Sequence, residues 1–203
     1  MEGLYLDQNK HIYYFEGEKK PSVSDILGVV DGIALKNIPL EALERAGARG
    51  TRVHEETENL EYGLVDLLDE EWQEENFDIA NYVYAYANFM KAHPSFPLAS
   101  EEALFSHKYD FAGTIDLVKV IDGKLAIIDK KTSSAISALR SKLQLNAYRL
   151  LWNEHHRKQP IEALYILHLK DNGEHRLLEI PIDEKMFLKY LKIYNEIKGD
   201  KKI

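Results

Sequence analysis

Residues 113–132 read GTIDLVKVIDGKLAIIDKKT, and their reading decides the fold. Asp122-Gly123 is a two-residue hairpin signal, because a type I′ turn needs positive φ at both central positions. Apolar residues flank it on both sides. If the turn sits there, the register pairs Val120 with Leu125, Val118 with Ile127 and Asp116 with Asp129. Side chains alternate along a strand. Asp116 therefore shares a face with Val118 and Val120, Asp129 with Leu125 and Ile127, and Lys131 lies one step beyond while Lys130 points the other way. A slip of one residue would separate the two carboxylates.

Opposed residues have Cβ atoms ~4.5–5.5 Å apart, and like charges there are destabilising. Two carboxylates among apolar neighbours need a cation between them, or one must hold a proton. A divalent metal is the simplest cation, with Lys131 beside it for a phosphate oxygen or a water. Acid-x-Lys alone carries little, since it occurs six times: at Glu18, Asp122, Asp129, Asp183, Glu196 and Asp200. Only the Asp129 copy ends an apolar strand with a second Asp across a hairpin.

The next segment, about 135–156, has a strong helical period. Arg140, Gln144, Tyr148 and Trp152 are spaced by four and share one face. Leu139, Leu143, Ala147, Leu150 and Leu151 form the core side. Gln144 and Tyr148 either support Lys131 or a phosphate with their polar tips, or bury a ring and leave a hydroxyl wet. Upstream, His54 follows Gly47 and Gly50 in GARGTRVHEETE, with Glu58 one turn on; spacing alone makes it a helix-surface histidine.

The remaining pattern is mixed. Residues 3–16 alternate about Asp7-Gln8-Asn9-Lys10 and predict a hairpin. Ser22 or Ser24 caps a short helix after Pro21. Helices are expected at 40–61 and 70–92, the second with a stripe of Tyr82, Tyr84, Tyr86 and Phe89 and a stop at His93-Pro94. Strands are expected at 101–109, 112–121, 124–131, 161–170 and 174–181, with a turn at Asp171-Asn172-Gly173, and a last helix runs from Asp183 to about 198. Helices and strands are mixed around one sheet, so a single α/β domain over 1–203 is the economical reading, with 1–95 as hairpin and helices and 96–203 as core.

Composition narrows the classes. The chain has 203 residues, 45% hydrophobic and 30% charged, with a net charge of −8. It has no cysteine, which removes disulfides, thiol nucleophiles and iron–sulfur clusters. The longest stretch free of Asp, Glu, Lys and Arg is twelve residues, 79–90, against the ~20 of a membrane span. The start, MEGLYLDQNK, lacks a secretory pattern, so an intracellular, cytoplasmic protein without membrane partners is expected. The charge is divided: residues 55–78 hold eleven acids and no Lys or Arg, while 119–158 hold nine bases against three acids. Each block by itself reads as a solvated face, yet the second permits phosphate binding that the total disfavours. His155 and His156 adjoin Arg157-Lys158 and read as solvated or near DNA.

Taken in order, these segments resemble the PD-(D/E)XK nuclease superfamily, in its RecB-like branch of phage and mitochondrial genome-maintenance exonucleases. Pro21-Ser22-Val23-Ser24-x-Ile26-Leu27 resembles the PSVT-x-IL segment, and Gly50-Thr51-Arg52-Val53-His54 the helical G-x-x-x-H. Glu101 through Phe111-Ala112-Gly113-Thr114-Ile115-Asp116 resembles the E…GxxD strands, with Asp110 where a glycine is common. Ile128-Asp129-Lys130-Lys131-Thr132 resembles IxDxKT, and Gln144-x-x-x-Tyr148 the Q-x-x-x-Y motif.

The resemblance implies a restriction-endonuclease-like mixed sheet flanked by helices, with an N-terminal hairpin and helical extension. It implies a metal shell of His54, Asp116, Asp129 and the Lys130 carbonyl, and Lys131 as catalytic lysine supported by Gln144 and Tyr148. Glu101 is a further candidate, with Glu102 as the competing match. The expected cofactor is Mg²⁺ or Mn²⁺ without an iron–sulfur cluster. The expected substrate is DNA, held without sequence reading by Thr132, Ser133, Arg140, Lys142 and Arg149, beside phage or host recombination, repair or replication proteins. Two other classes stay open: a non-catalytic DNA-binding or assembly module, and a small-molecule phosphoesterase that leaves the basic helix without a role.

Overall fold

The computed structural model describes residues 3–7, 10–34 and 39–199. An N-terminal antiparallel sheet consists of β1 (Leu4–Asp7), β2 (Ile12–Phe15) and β3 (Glu18–Lys20). The first hairpin is the expected one; Gln8 and Asn9 of its turn lie outside the described residues, and Lys10 N–H closes it onto Asp7 Oδ1 at 3.2 Å. Strand β3 is an addition to the sequence reading. Glu16 (φ 50°) and Gly17 (φ 82°) supply two successive left-handed residues that return the chain antiparallel to β2.

Helix α1 (Val23–Ala34) starts at Ser22. The Ser22 hydroxyl accepts Asp25 N–H at 2.9 Å while the Asp25 carboxylate accepts Ser22 N–H at 2.9 Å, a reciprocal capping box. Helix α2 (Leu40–Glu61) follows. The helix expected over 70–92 is instead two helices, α3 (Glu70–Glu75) and α4 (Ala80–Ala92). The break has a visible cause: Arg52 of α2 donates to Asn76 Oδ1, Glu75 O and both oxygens of Asp78, which ties the 75–78 segment to α2.

The main sheet has the order β4 (Pro97–Ser106), β5 (Phe111–Ile121), β6 (Lys124–Lys131), β7 (Ala163–Leu169) and β8 (His175–Glu179). Among the described strands of this sheet β6 and β7 pair in parallel and the others antiparallel, and the crossover between β6 and β7 carries α5 (Ala138–His155). Helix α6 (Glu184–Gly199) closes the chain. One core layer joins α1, α5 and α6 to Val118, Ile127, Leu164 and Ile166. The other joins α4 and Val53 of α2 to Leu117, Ile128, Ala163 and Leu167 on the opposite sheet face. Tyr82, Tyr86 and Phe89 are buried there, as core and not as a ligand box. The N-terminal sheet packs on β4 through Tyr13, Phe105 and Ala112, with the Phe15 and Phe105 rings stacked at 4.3 Å.

This is the restriction-endonuclease-like mixed α/β arrangement, helices on both sides of a sheet with one parallel pair. Part of its acidic block is structural. Glu56 accepts Trp72 Nε1–H at 2.6 Å, Asp69 caps α3, and Glu61 accepts from the buried ammonium of Lys119 at 3.1 Å and from Tyr86 OH at 2.6 Å.

Candidate active site

The site begins with the hairpin. Asp122 (φ 50°) and Gly123 (φ 78°) form the left-handed turn, and the ladder runs from Ile121↔Lys124 to Leu117↔Ile128 in the expected register. It stops one step short of Asp116 and Asp129. There the Asp116 side chain takes over from the backbone: its Oδ2 accepts Lys130 N–H at 2.8 Å.

A second irregularity lies across the neighbouring strand. The β4–β5 ladder pairs Ser100 with Leu117 and Glu102 with Ile115 but leaves out the step between, where Glu101 and Asp116 meet. Glu101 adopts φ 47°, a left-handed conformation that a non-glycine residue holds only when its surroundings demand it. Side-chain alternation breaks at the same point, since Ile115 and Val118 both join the core under α5. Asp110, in the position where glycine is common, also has positive φ (55°) and accepts an ion pair from Lys20 at 2.9 Å.

Helix α2 brings the third element. Gly50 passes close enough that a Cβ would stand 3.9 Å from Thr132 Oγ1, and one turn later His54 reaches the carboxylates. His54 Nδ1 lies 3.2 Å from Glu101 Oε1, and Nε2 lies 3.1 Å from Lys130 O and 3.6 Å from Asp116 Oδ2. His54 is therefore inside the site and not on a free helix surface. Both ring nitrogens face acceptors, which the imidazolium satisfies as a double donor. Burial lowers its pKa, but the Asp116 charge and the Glu101 hydrogen bond outweigh that and raise it. Burial would raise Glu101, and the contacts with His54 and Lys130 reverse this and lower it. Asp116 is pushed up to about 6, chiefly by burial, with His54 opposing and Asp129 and Glu101 adding to it.

On the α5 side, Asp129 is 1% exposed, and Lys131 Nζ stands 2.6 Å from its Oδ2. Beyond that ion pair neither Asp129 oxygen has a hydrogen-bond partner among the described residues. Burial works against the Lys131 ammonium, but Asp129 and Asp116 hold its pKa above the usual value. Gln144 Nε2 donates to Tyr148 OH at 2.9 Å within the same wall. Gly113 makes room for this: a Cβ there would lie 2.9 Å from Val23 and 3.0 Å from Tyr148.

These residues fit a divalent cation. Ligand atoms of His54, Glu101 and Asp116 all lie within 4.8 Å of one another, and Asp129 offers a buried carboxylate with unfilled acceptor positions. Carboxylates with one imidazole suit Mg²⁺ or Mn²⁺. The cleft beside them, about 400 Å³, is lined by Gly50, Thr51, Glu55, Glu58 and Thr114 together with Leu6 and His11 of the N-terminal hairpin.

Other expected residues are elsewhere. Glu102 stands 3.7 Å from His156 and away from the cluster, while Lys130 turns its buried ammonium to Thr57 (3.1 Å) and Glu101 (3.2 Å). Two of the expected DNA-binding residues are engaged within the fold. Lys142 pairs with Asp183 at 2.8 Å, and Arg149 pairs with Glu184 and donates to Ile161 O, so both bind the start of α6. His155 bonds Phe105 O at 2.7 Å and His156 stacks on Trp152 at 3.8 Å, which makes both structural. Thr132 and Ser133 line a different cleft, and the charge of Arg140 acts on Lys131. Sequence reasoning missed Arg49, which donates to Thr132 O at 3.3 Å; its only signal was a place one turn before His54.

The sequence pattern of the PD-(D/E)XK nuclease superfamily matches residues 27–199 of this chain. Among solved structures, a candidate exonuclease from Eubacterium rectale is similar at 13% identity with a TM-score of 0.50, over 89% of this chain and 79% of that one. The protein SSO0001 is similar at 17% identity and a TM-score of 0.36, over 63% of this chain and 69% of that one. None of the curated proteins matches.

Proposed function

This chain belongs to the PD-(D/E)XK nuclease superfamily, and from that premise we propose that it hydrolyses DNA phosphodiester bonds with Mg²⁺ or Mn²⁺, as an exonuclease acting on ends. The observation that carries the reading is the buried carboxylate of Asp129, paired with Lys131 and next to the His54–Glu101–Asp116 cluster. His54, Asp116 and Asp129, with Glu101 and the Lys130 carbonyl, would hold the cation. When bound, it would supply a water of lowered pKa and charge stabilisation at the phosphate.

The chain's own groups do the rest. Lys131, held as an ammonium, donates to a phosphate oxygen or orients the attacking water. Lys130 fixes Glu101 from behind, and Gln144 with Tyr148 sets the wall against which Lys131 lies. Action on ends follows the likeness of the chain's motifs to the exonuclease branch, and a cytoplasmic role beside phage or host recombination, repair or replication proteins follows with it. Among the described residues no helix is long and apolar enough to cross a membrane.

The test is cleavage of end-labelled linear and closed circular DNA with Mg²⁺, with Mn²⁺ and with chelator. Linear DNA should be degraded only with metal. Cutting of circles would overturn the exonuclease assignment, and full activity of both Asp129→Ala and Lys131→Ala would overturn the site.

A further inference from the structure

The first N-terminal hairpin is fixed to the catalytic strands. Tyr13, 1% exposed, shares a hydrogen bond at 2.7 Å with the hydroxyl of Thr114, two residues before Asp116. The Phe15 and Phe105 rings stack, and Lys20 pairs with Asp110 at 2.9 Å. Beside Tyr13 stands His11, exposed and in a left-handed conformation (φ 53°). Its ring lies at 83° to the Tyr13 ring, with the centres 5.6 Å apart. His11 and Leu6 are the hairpin's share of the carboxylate cleft, which α2 lines with Gly50, Thr51, His54, Glu55 and Glu58.

The chemistry of this cleft selects the part of a strand that can fill it. No Lys or Arg is among the described residues that line it. Two of its hydroxyls are already engaged: Thr51 donates to Gly47 O at 3.2 Å, and Thr114 is joined to Tyr13. The carboxylates of Glu55 and Glu58 have no hydrogen bond or ion pair among the described residues. Such groups repel phosphate oxygens and accept from the amino N–H groups of a base edge. A base also has flat faces, which an aromatic ring covers well. His54 and Glu101 belong to both the cleft and the metal cluster, so a phosphate held at the cluster leaves the neighbouring base at the cleft. A base in a duplex already uses its amino edge for pairing. It fits here only unpaired.

We propose that the cleft between the N-terminal hairpin and α2 takes the unpaired nucleobase beside the bond that is cut, with His11 as its stacking surface. The inference rests on the nuclease reading above and adds the state of the strand: single or frayed at the point of cleavage. The role asks for a ring at position 11 and not for a charge.

The test is a cycle between protein and substrate, read by binding. A Lys131→Ala background with Mn²⁺ holds the strand uncut on the nuclease reading. There, affinity is measured for a short single strand and for copies with one abasic site, placed in turn at the two nucleotides of either end. His11→Ala should weaken binding of the intact strand at least about fivefold. One abasic position should cost the His11 protein a similar factor and cost His11→Ala nothing further. His11→Phe should restore binding and His11→Lys should not. A blunt duplex closed by G·C pairs should bind more weakly than the single strand. Losses that simply add at every abasic position overturn the proposal, as does equal affinity for the blunt duplex and the single strand. Either result, with metal-dependent cleavage by the unaltered chain, sinks this inference alone. Binding that depends on His11 without any cleavage by the unaltered chain sinks the nuclease reading and leaves the base-binding wall standing. Neither binding nor cleavage overturns both. If His11→Ala fails to fold, the abasic series with His11 in place decides: no costly position overturns the proposal.

Discussion

Lys131 Nζ stands 2.6 Å from Asp129 Oδ2, an ammonium set against a carboxylate only 1% exposed. A buried charge with incomplete partners is retained at a cost in stability. Asp129→Asn leaves the Lys131 ammonium without that partner and should lower the stability of the metal-free fold, while abolishing stabilisation by Mn²⁺ and reducing cleavage by about 10²–10³-fold or more. Thermal unfolding with and without Mn²⁺ reads both; a variant that keeps its metal shift removes Asp129 from the metal shell.

The His54–Asp116 pair makes the site sensitive to pH. Asp116 is raised to about 6 and His54 is raised above its ordinary value. Both groups bind protons more tightly in the folded metal-free protein than in the unfolded chain, so their contribution is present at lower pH. It is lost as pH rises through about 6 and then through the raised value of His54. A metal needs both groups deprotonated and acts in the opposite sense. The rise in unfolding temperature caused by Mn²⁺ should be small near pH ~5 and large near pH ~8, with protons released on binding. Equal shifts at both pH values would contradict the ligand set.

Gly113→Ala tests how closely α5 must approach the sheet. The added Cβ would meet Val23 at 2.9 Å, Tyr148 at 3.0 Å and Leu151 at 3.2 Å. Overpacking of this kind costs about 1–3 kcal/mol, and cleavage should fall with it because Tyr148 must move. Denaturant unfolding measures the first effect and initial rates the second.

Stability away from the site rests on Glu61 and Lys119, whose side chains are 3% and 1% exposed and 3.1 Å apart. Glu61→Ala should destabilise by about 3–5 kcal/mol, since it strands a buried ammonium. The double change Glu61→Leu with Lys119→Met should recover most of that loss and leave cleavage unchanged. A neutral Glu61→Ala would show that the ammonium finds water.

Sequence alone carried the hairpin at Asp122-Gly123, because a two-residue turn sets the register and the register sets which side chains share a face. The register up to Leu117 and Ile128 follows from that local rule, as does the mixed sheet from the alternation of strand and helix patterns. The tertiary structure decided what comes from far along the chain. It turned Glu101 inward through a left-handed φ, brought His54 from α2 onto the Lys130 carbonyl, and split the helix at Asn76–Ile79 through Arg52. It also assigned Lys142 and Arg149 to α6, although their spacing suggested a free basic face. The physical reason is range. Turn chemistry and side-chain alternation act over a few residues and can be read in order, whereas ion pairing and burial depend on which elements meet, and Arg49 acquires its unfilled donor only where α2 crosses the end of β6.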